Sequence, residues 1–308
     1  NGLWAERRRW MNLPDEDYCC CTLITTFRSM TISSSKSWPK ATPEEHQHKR
    51  SALTKDFFIF ASIICAMFYF SQFSADLTAE HAAIAFTSNQ KILSCIVTLL
   101  MFITFASDLF GLPPPTKDQP KWNTISIIGH CGFFTLQTLF LQTAFTIVKA
   151  YAIVSENTKL LVLVSSLALW VNTQGTALTL LFFKLNWYEP KWQRDVQKPM
   201  ELIYPGISSI WLLGHVPSLP LALFDALFLN DRSIVALHGA AYQTIVMVAF
   251  GYGAVYLLFA KTVQWRMNTL IYPFIKDISS LVKGFGFVVV VGFAVSGMAY
   301  VLDMFMRF

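Results

Sequence analysis

The sequence predicts an all-α membrane protein, a polytopic transmembrane helical bundle with about seven spans. Hydrophobic residues make up 54% of the 308-residue chain and charged residues only 14%. The apolar residues are grouped into runs of 17 or more, the length that a helix needs to cross a bilayer. One soluble core could not bury so much apolar surface, so an ordinary soluble globule is excluded.

Seven apolar runs, in chain order, are the predicted spans. They are 57–73, 92–110, 127–148, 160–183, 207–229, 235–259 and 284–304. The prolines of the segment 111–115 end the second span, because proline lacks the N–H that a helix needs. The predicted organisation is therefore a polar N-terminal extension (1–56), an extra N-terminal span with its loop (57–91), and a transmembrane bundle (92–308).

Basic residues in the loops predict the orientation, because they accumulate on the cytosolic or matrix side of a membrane. Seven crossings place fourteen basic residues on the side of the N-terminus, at 40, 49, 50, 55, 117, 121, 184, 191, 194, 198, 261, 266, 276 and 283. The opposite side carries five, namely Lys91, Lys149, Lys159, Arg232 and Arg307. We therefore expect the N-terminus to face the cytosol or the mitochondrial matrix.

Composition also limits the partners and cofactors. The net charge of +5 follows from the loop residues that set orientation, so nucleic acid is not an expected partner. The six cysteines imply no disulfide framework. No carboxylate or cysteine stands at zinc-ligand spacing from a histidine, and the histidines lie at unequal depths, which disfavours a haem ligand pair. We expect neither a metal nor another cofactor.

Polar residues inside a span are costly in hydrocarbon, so they are candidates for function as well as for interhelical hydrogen bonds. Four of them recur at helical spacing in the third span and should share an inward face, namely Thr135, Thr138, Gln142 and Thr146. Thr135 and His215 each lie eight residues beyond the start of their span, about 12 Å deep. Because a Thr hydroxyl needs a base to become a nucleophile, this matched depth predicts a nucleophile and base pair.

These residues also carry a resemblance to a known family. The segment Phe134–Gln142, FTLQTLFLQ, resembles the motif Leu-Thr-Phe-x-(Asn/Asp)-Leu-x-x-Gln of the androgen-induced-gene and androgen-dependent TFPI-regulating proteins. Members of that family are intramembrane threonine hydrolases of fatty acid esters of hydroxy fatty acids. The Thr of the motif is their nucleophile, so the resemblance gives this role to Thr135. Thr138 stands at the Asn/Asp position, and Gln142 matches the Gln.

Two further segments are similar to the family. Trp211–Pro220, WLLGHVPSLP, places His215 at the position of the catalytic His, with Asp225 as the acidic residue ten positions later. Residues 271–275, IYPFI, resemble the Val-Tyr-Pro-Phe-Leu that precedes the last family span and contain Tyr272. The resemblance implies that the cavity or the shell behind the catalytic pair contains Thr138, Gln142, Asp225 and Tyr272.

The resemblance covers about residues 92–308, and it leaves two functions open. The first is a lipid ester hydrolase that binds acyl lipid among its spans. Trp211 and Leu212, however, stand where the family has Asn and His, and no family segment matches residues 1–91. The second is therefore a non-catalytic accessory subunit of a multi-protein membrane complex, such as a respiratory complex.

The polar extension bears on the second function. The order of residues 1–56 would come from other membrane-protein chains or from the membrane surface. Because these residues show no sustained apolar helical pattern, we favour contact with other chains. Either the endoplasmic reticulum or the mitochondrial inner membrane fits these expectations.

Overall fold

The structure is a computed structural model that describes residues 39–74, 86–114, 125, 129–230, 232–240, 242–267 and 278–307. Those ranges are largely helical and contain no strand, which confirms the predicted all-α fold. The main helices are α1 (Pro43–Ser71), α2 (Ser88–Gly111), α3 (Phe134–Ser155), α4 (Thr158–Phe183), α5 (Ile207–His215), α6 (Ser218–Phe224), α7 (Arg232–His238), α8 (Tyr242–Met267) and α9 (Leu281–Arg307).

Shorter helical pieces extend or connect these helices. A π-helical turn (Lys184–Tyr188) continues α4, and another (Asp225–Leu229) continues α6. Between α4 and α5 the chain forms the pieces Pro190–Trp192, Gln193–Gln197 and Lys198–Ile203.

Within the described ranges, seven helical segments are long and apolar enough to cross a membrane, as the sequence predicts. They are Pro43–Ser71, Ser88–Gly111, Phe134–Ser155, Thr158–Tyr188, Ile207–Leu229, Tyr242–Arg266 and Leu281–Arg307. The third begins at Phe134 rather than at residue 127. The sixth begins at Tyr242 rather than at residue 235, because α7 is a separate short helix that ends at His238.

The first helix begins earlier than the apolar run within it. The Thr42 hydroxyl accepts the N–H of Glu45 at 3.2 Å, and the Glu45 carboxylate accepts the N–H of Thr42 at 2.8 Å. This capping box, with Pro43 at the first helical position, starts α1 within the predicted polar extension. Residues 43–56 are thus part of a helix, and residues 1–38 lie outside the described ranges.

α4 is the central helix of the bundle. It packs against α3, α6 and α9, with further contacts to α1, α5 and α7. The helices at the periphery instead present large apolar side chains outwards, among them Phe57, Phe70, Leu258 and Phe285. An apolar exterior around a polar-containing interior is the arrangement that hydrocarbon surroundings favour.

Candidate active site

The predicted polar face of α3 points into the bundle. Thr138, Gln142 and Thr146 are only 2%, 3% and 9% exposed, so the helical spacing predicted their inward direction correctly. Thr135 is half-buried in the first turn of the helix. It therefore lies where α3 begins and not in the middle of a continuous span.

The start of α3 has a structural cause. A 3-10 turn (Gly129–Gly132) precedes the helix, and Gly129 has a φ of 68°, a left-handed conformation that glycine adopts without steric cost. Tyr256 of α8 joins the turn to the helix. Its hydroxyl accepts the Phe134 N–H and donates to the Gly132 carbonyl, each at 3.2 Å. The helix start, and with it the predicted nucleophile, is thereby tied to α8.

His215 is the last residue of α5, and its ring is half-buried. Its Nδ1 lies 2.7 Å from the carbonyl oxygen of Trp211, one turn earlier. Because a carbonyl only accepts hydrogen bonds, Nδ1 carries the proton and Nε2 is the basic nitrogen. The imidazole also stacks on the ring of Phe182, with centroids 4.6 Å apart. The orientation of His215 is thus fixed from two sides.

The helix breaks directly after His215, where Pro217 and Pro220 follow in the chain. α5 ends at His215 and α6 begins at Ser218. Proline leaves backbone carbonyls of the preceding turn without a donor, which is costly in a membrane. Thr179 of α4 compensates, because its hydroxyl donates to the His215 carbonyl at 2.7 Å and accepts the Leu219 N–H at 3.1 Å.

Contacts with α4 indicate that Thr135 and His215 lie at one level of the bundle. A Cβ on Gly175 would lie 1.7 Å from Nε2 of Gln142, so these two residues are in contact. α3 and α4 are joined by a short turn, and counting seven residues from this contact along each helix reaches Thr135 and Phe182. The Phe182 ring stacks on the His215 ring. Direct contact between the Thr135 hydroxyl and His215 stays a prediction.

Asp225 does not bind His215. Its carboxylate accepts hydrogen bonds from the Lys149 ammonium at 2.6 Å and from the side-chain amide of Asn172 at 2.9 Å. Asn230 donates to the Asp225 backbone carbonyl at 2.9 Å and accepts from Lys149 at 2.8 Å. The acidic residue ten positions after the histidine is therefore the centre of a separate buried network.

The other predicted site residues do not share one location in the bundle. Gln142 and Asp225 line one cavity of about 10 Å³, whereas Thr138 is not among its lining residues. The Thr138 hydroxyl is buried without a hydrogen-bond partner in the described part of the chain. Tyr272 lies outside the described ranges.

Lys149 lies inside the bundle, where the sequence does not predict it. We predicted it in a loop after the third span, but α3 continues to Ser155 and buries Lys149 to 4% exposure. The signal was present in the sequence, because Lys149 continues the spacing of Gln142 and Thr146 on the same helical face. The span was ended too early because a lysine counts against membrane insertion.

Two further acidic residues went unrecognised. Asp56 of α1 is fully buried and accepts both the backbone N–H of His130, at 2.8 Å, and its ring Nδ1, at 2.6 Å. Asp108 of α2 is 2% exposed and lies against Gly214, the neighbour of His215. An acidic residue within or next to an apolar run, where it is rare, was the signal in both cases.

No family model, curated protein or solved structure matches this chain. The resemblance to the threonine hydrolases therefore rests on the three short motifs alone. Within the described ranges, no three His, Cys, Asp or Glu side chains are grouped so that they could hold a metal ion.

Proposed function

We propose that this protein is an intramembrane lipid ester hydrolase with Thr135 as the nucleophile and His215 as the general base. The observation that carries the proposal is the bond between His215 Nδ1 and the Trp211 carbonyl at 2.7 Å. This bond leaves Nε2 as the basic nitrogen, and the α3–α4 contact supports a position of Thr135 at the same level of the bundle. A base held in one tautomer is what a weak hydroxyl nucleophile requires.

The reaction has two steps. The Thr135 hydroxyl oxygen attacks the ester carbonyl, Nε2 of His215 takes its proton, and the imidazolium returns that proton to the leaving alcohol. Water then attacks the acyl-threonine, again with His215 as base, and releases the fatty acid. Asp108 is packed against Gly214, next to His215 in the chain. We propose that its carboxylate stabilises the imidazolium that forms in each step.

The first turn of α3 can stabilise the oxyanion of these steps. The first intrahelical bond runs from the Gln137 N–H to the Phe133 carbonyl at 3.0 Å. The amides of Thr135 and Leu136 precede it and point out of the helix N-terminus. Backbone N–H groups aimed at a developing negative charge are the commonest form of oxyanion stabilisation.

The substrate class and the membrane follow from the resemblance and from charge. We propose fatty acid esters of hydroxy fatty acids as substrates, with acyl chains lying along the apolar spans. Once Lys149 is counted within the bundle, four basic residues at helix ends are left on the side opposite the N-terminus, namely Lys91, Lys159, Arg232 and Arg307. The asymmetry that puts the N-terminus in the cytosol or matrix is thereby strengthened.

The test is hydrolysis by the purified protein in lipid nanodiscs, with an ester of a hydroxy fatty acid as substrate. Thr135→Ala should abolish release of fatty acid, and Thr135→Ser should retain part of it. His215→Gln should reduce turnover strongly while keeping the polar character of the site. A fluorophosphonate probe should label Thr135, identified by mass spectrometry of the labelled peptide.

Thr143→Ala is the matched control, because Thr143 is a fully buried threonine of the same helix. It removes one hydroxyl without touching the proposed site, so activity should persist. Hydrolysis that survives Thr135→Ala, or that Thr143→Ala removes equally, would contradict the proposal.

A non-catalytic accessory subunit is the second candidate. The observation in its favour is that the inward polar face of α3 leads to a cavity of about 10 Å³, far too small for an acyl chain, and to a network whose charges are paired. A core of this kind stabilises a fold and leaves no space for a lipid substrate. The discriminating measurement is the native mass in mild detergent, since a subunit should migrate with other chains and show no labelling at Thr135.

A further inference from the structure

A polar core lies inside the bundle, and its α3 member, Lys149, stands about four turns along the helix from the predicted nucleophile. Lys149 and Asp225, with side chains 5% and 3% exposed, form an ion pair at 2.6 Å. Asn172 donates to Asp225 at 2.9 Å, and Asn230 accepts from Lys149 at 2.8 Å. The two charges neutralise each other, and the two amides satisfy part of their remaining hydrogen-bonding capacity.

A cavity of about 10 Å³ borders this core. Its polar lining comes from Gln142, Thr146, Asn172 and Asp225. A void of about 10–15 Å³ is the size of one water molecule, and a water needs two to four polar partners to occupy it. The cavity meets both conditions.

Gln142 supplies the independent reason to expect a ligand. It is 3% exposed, and its carbonyl oxygen is buried without a hydrogen-bond partner in the described part of the chain. Its amide cannot move towards α4, because it already lies against the bare backbone of Gly175. An amide left unpaired in apolar surroundings carries a large free-energy penalty, so a partner in the adjoining cavity is expected.

We propose that this cavity is the binding site of one internal water molecule. The water donates one hydrogen bond to Oε1 of Gln142 and the other to the carboxylate of Asp225. A carboxylate has about four acceptor positions, and Lys149 and Asn172 use two of them well. The water therefore connects α3 with the segment that follows α6, beside the ion pair that already joins them.

The charge and size of the site select water over other occupants. Lys149 already balances Asp225, so a metal cation would add an uncompensated charge. A larger polar molecule exceeds the volume, and an apolar one would leave Gln142 unpaired. This inference is independent of ester hydrolysis, because it concerns residues outside the proposed catalytic pair.

The test is hydroxyl-radical labelling by X-ray radiolysis of the full chain in nanodiscs, which oxidises buried side chains where water is bound beside them. Met101 lines the cavity and is 1% exposed. Met306 is also 1% exposed, lies outside the cavity and sits close to the end of α9, so it is a stringent control. We expect Met101 to be oxidised several-fold faster than Met306.

Ala222→Val is the matched variant, because Ala222 lines the cavity and two added methyl groups fill it. The rate at Met101 should then fall to the rate at Met306, with tryptophan fluorescence reporting that the fold is kept. Equal rates for the two methionines in the unaltered protein would overturn the proposal, whether or not the variant folds. A Met101 rate that Ala222→Val leaves unchanged in folded protein would also overturn it.

Discussion

The ion pair between Lys149 and Asp225 allows the sharpest stability prediction. Asp225→Leu leaves the Lys149 ammonium with the Asn230 side chain, at 2.8 Å, as its remaining partner among these bonds. Breaking a buried pair by removing one partner costs about 3–5 kcal/mol, because the other charge stays buried. The helices unfolded in the membrane also find polar partners, so we expect the lower end of that range.

Replacing both charges should cost much less. Lys149→Met combined with Asp225→Leu removes the charges but keeps similar side-chain volumes. What remains is the loss of partners for Asn172 and Asn230, about 1–3 kcal/mol. The sum of the two single effects should therefore exceed the effect of the double variant by several kcal/mol.

The assay is unfolding in mixed micelles, titrated with sodium dodecyl sulfate and followed by tryptophan fluorescence. It gives the free energy of unfolding of the unaltered protein, of each single variant and of the double variant. Independent sites are additive to within about 0.5 kcal/mol. A double variant that loses as much stability as the two single variants together would therefore refute the argument that these charges stabilise the fold as a pair.

Three further predictions use the same unfolding assay. Gly175→Ala should destabilise by about 1–3 kcal/mol, because its Cβ would lie 1.7 Å from the adjoining glutamine amide, whereas Gly253→Ala, with nothing within 4 Å, should not destabilise. Thr179→Val should cost about 1–2 kcal/mol, since the break between α5 and α6 loses its hydroxyl bridge. Asp56→Ala should cost about 1.5–3 kcal/mol by leaving His130 without its acceptor. If the free energy of unfolding is unchanged in Gly175→Ala, Thr179→Val or Asp56→Ala, the contact that the substitution removes does not stabilise the fold.

The sequence predicted the fold because hydrocarbon allows few solutions. Backbone groups have no water to bind there, so runs such as 92–110 can only be helices, and their number follows directly. The inward face of α3 was equally readable, because polar residues at positions 138, 142 and 146 have to point away from lipid. The break after His215 also has a local cause, because Pro217 and Pro220 follow that residue.

Contacts between distant segments were not readable in the same way. Asp56 is paired with His130 across 74 residues of sequence, and no local pattern records which helix a carboxylate will meet. The later start of α3 was not readable either, because Gly129 turns the chain before the helix begins at Phe134. Lys149 was misplaced because its charge looked like the end of a span until Asp225 was known to neutralise it.

The same pair constrains how the protein is made. Lys149 enters the membrane within α3, but Asp225 is synthesised 76 residues later. At about 5–20 residues per second, the ribosome needs roughly 4–15 seconds to supply the partner. During that interval α3 carries an unpaired lysine, whose insertion costs at most the roughly 2.5–3.5 kcal/mol of a lysine at the centre of a helix. Stable insertion of α3 therefore depends on the turn Asp225–Leu229 that follows α6. The first three spans alone should insert poorly, and a chain whose translation stalls before this turn should be degraded.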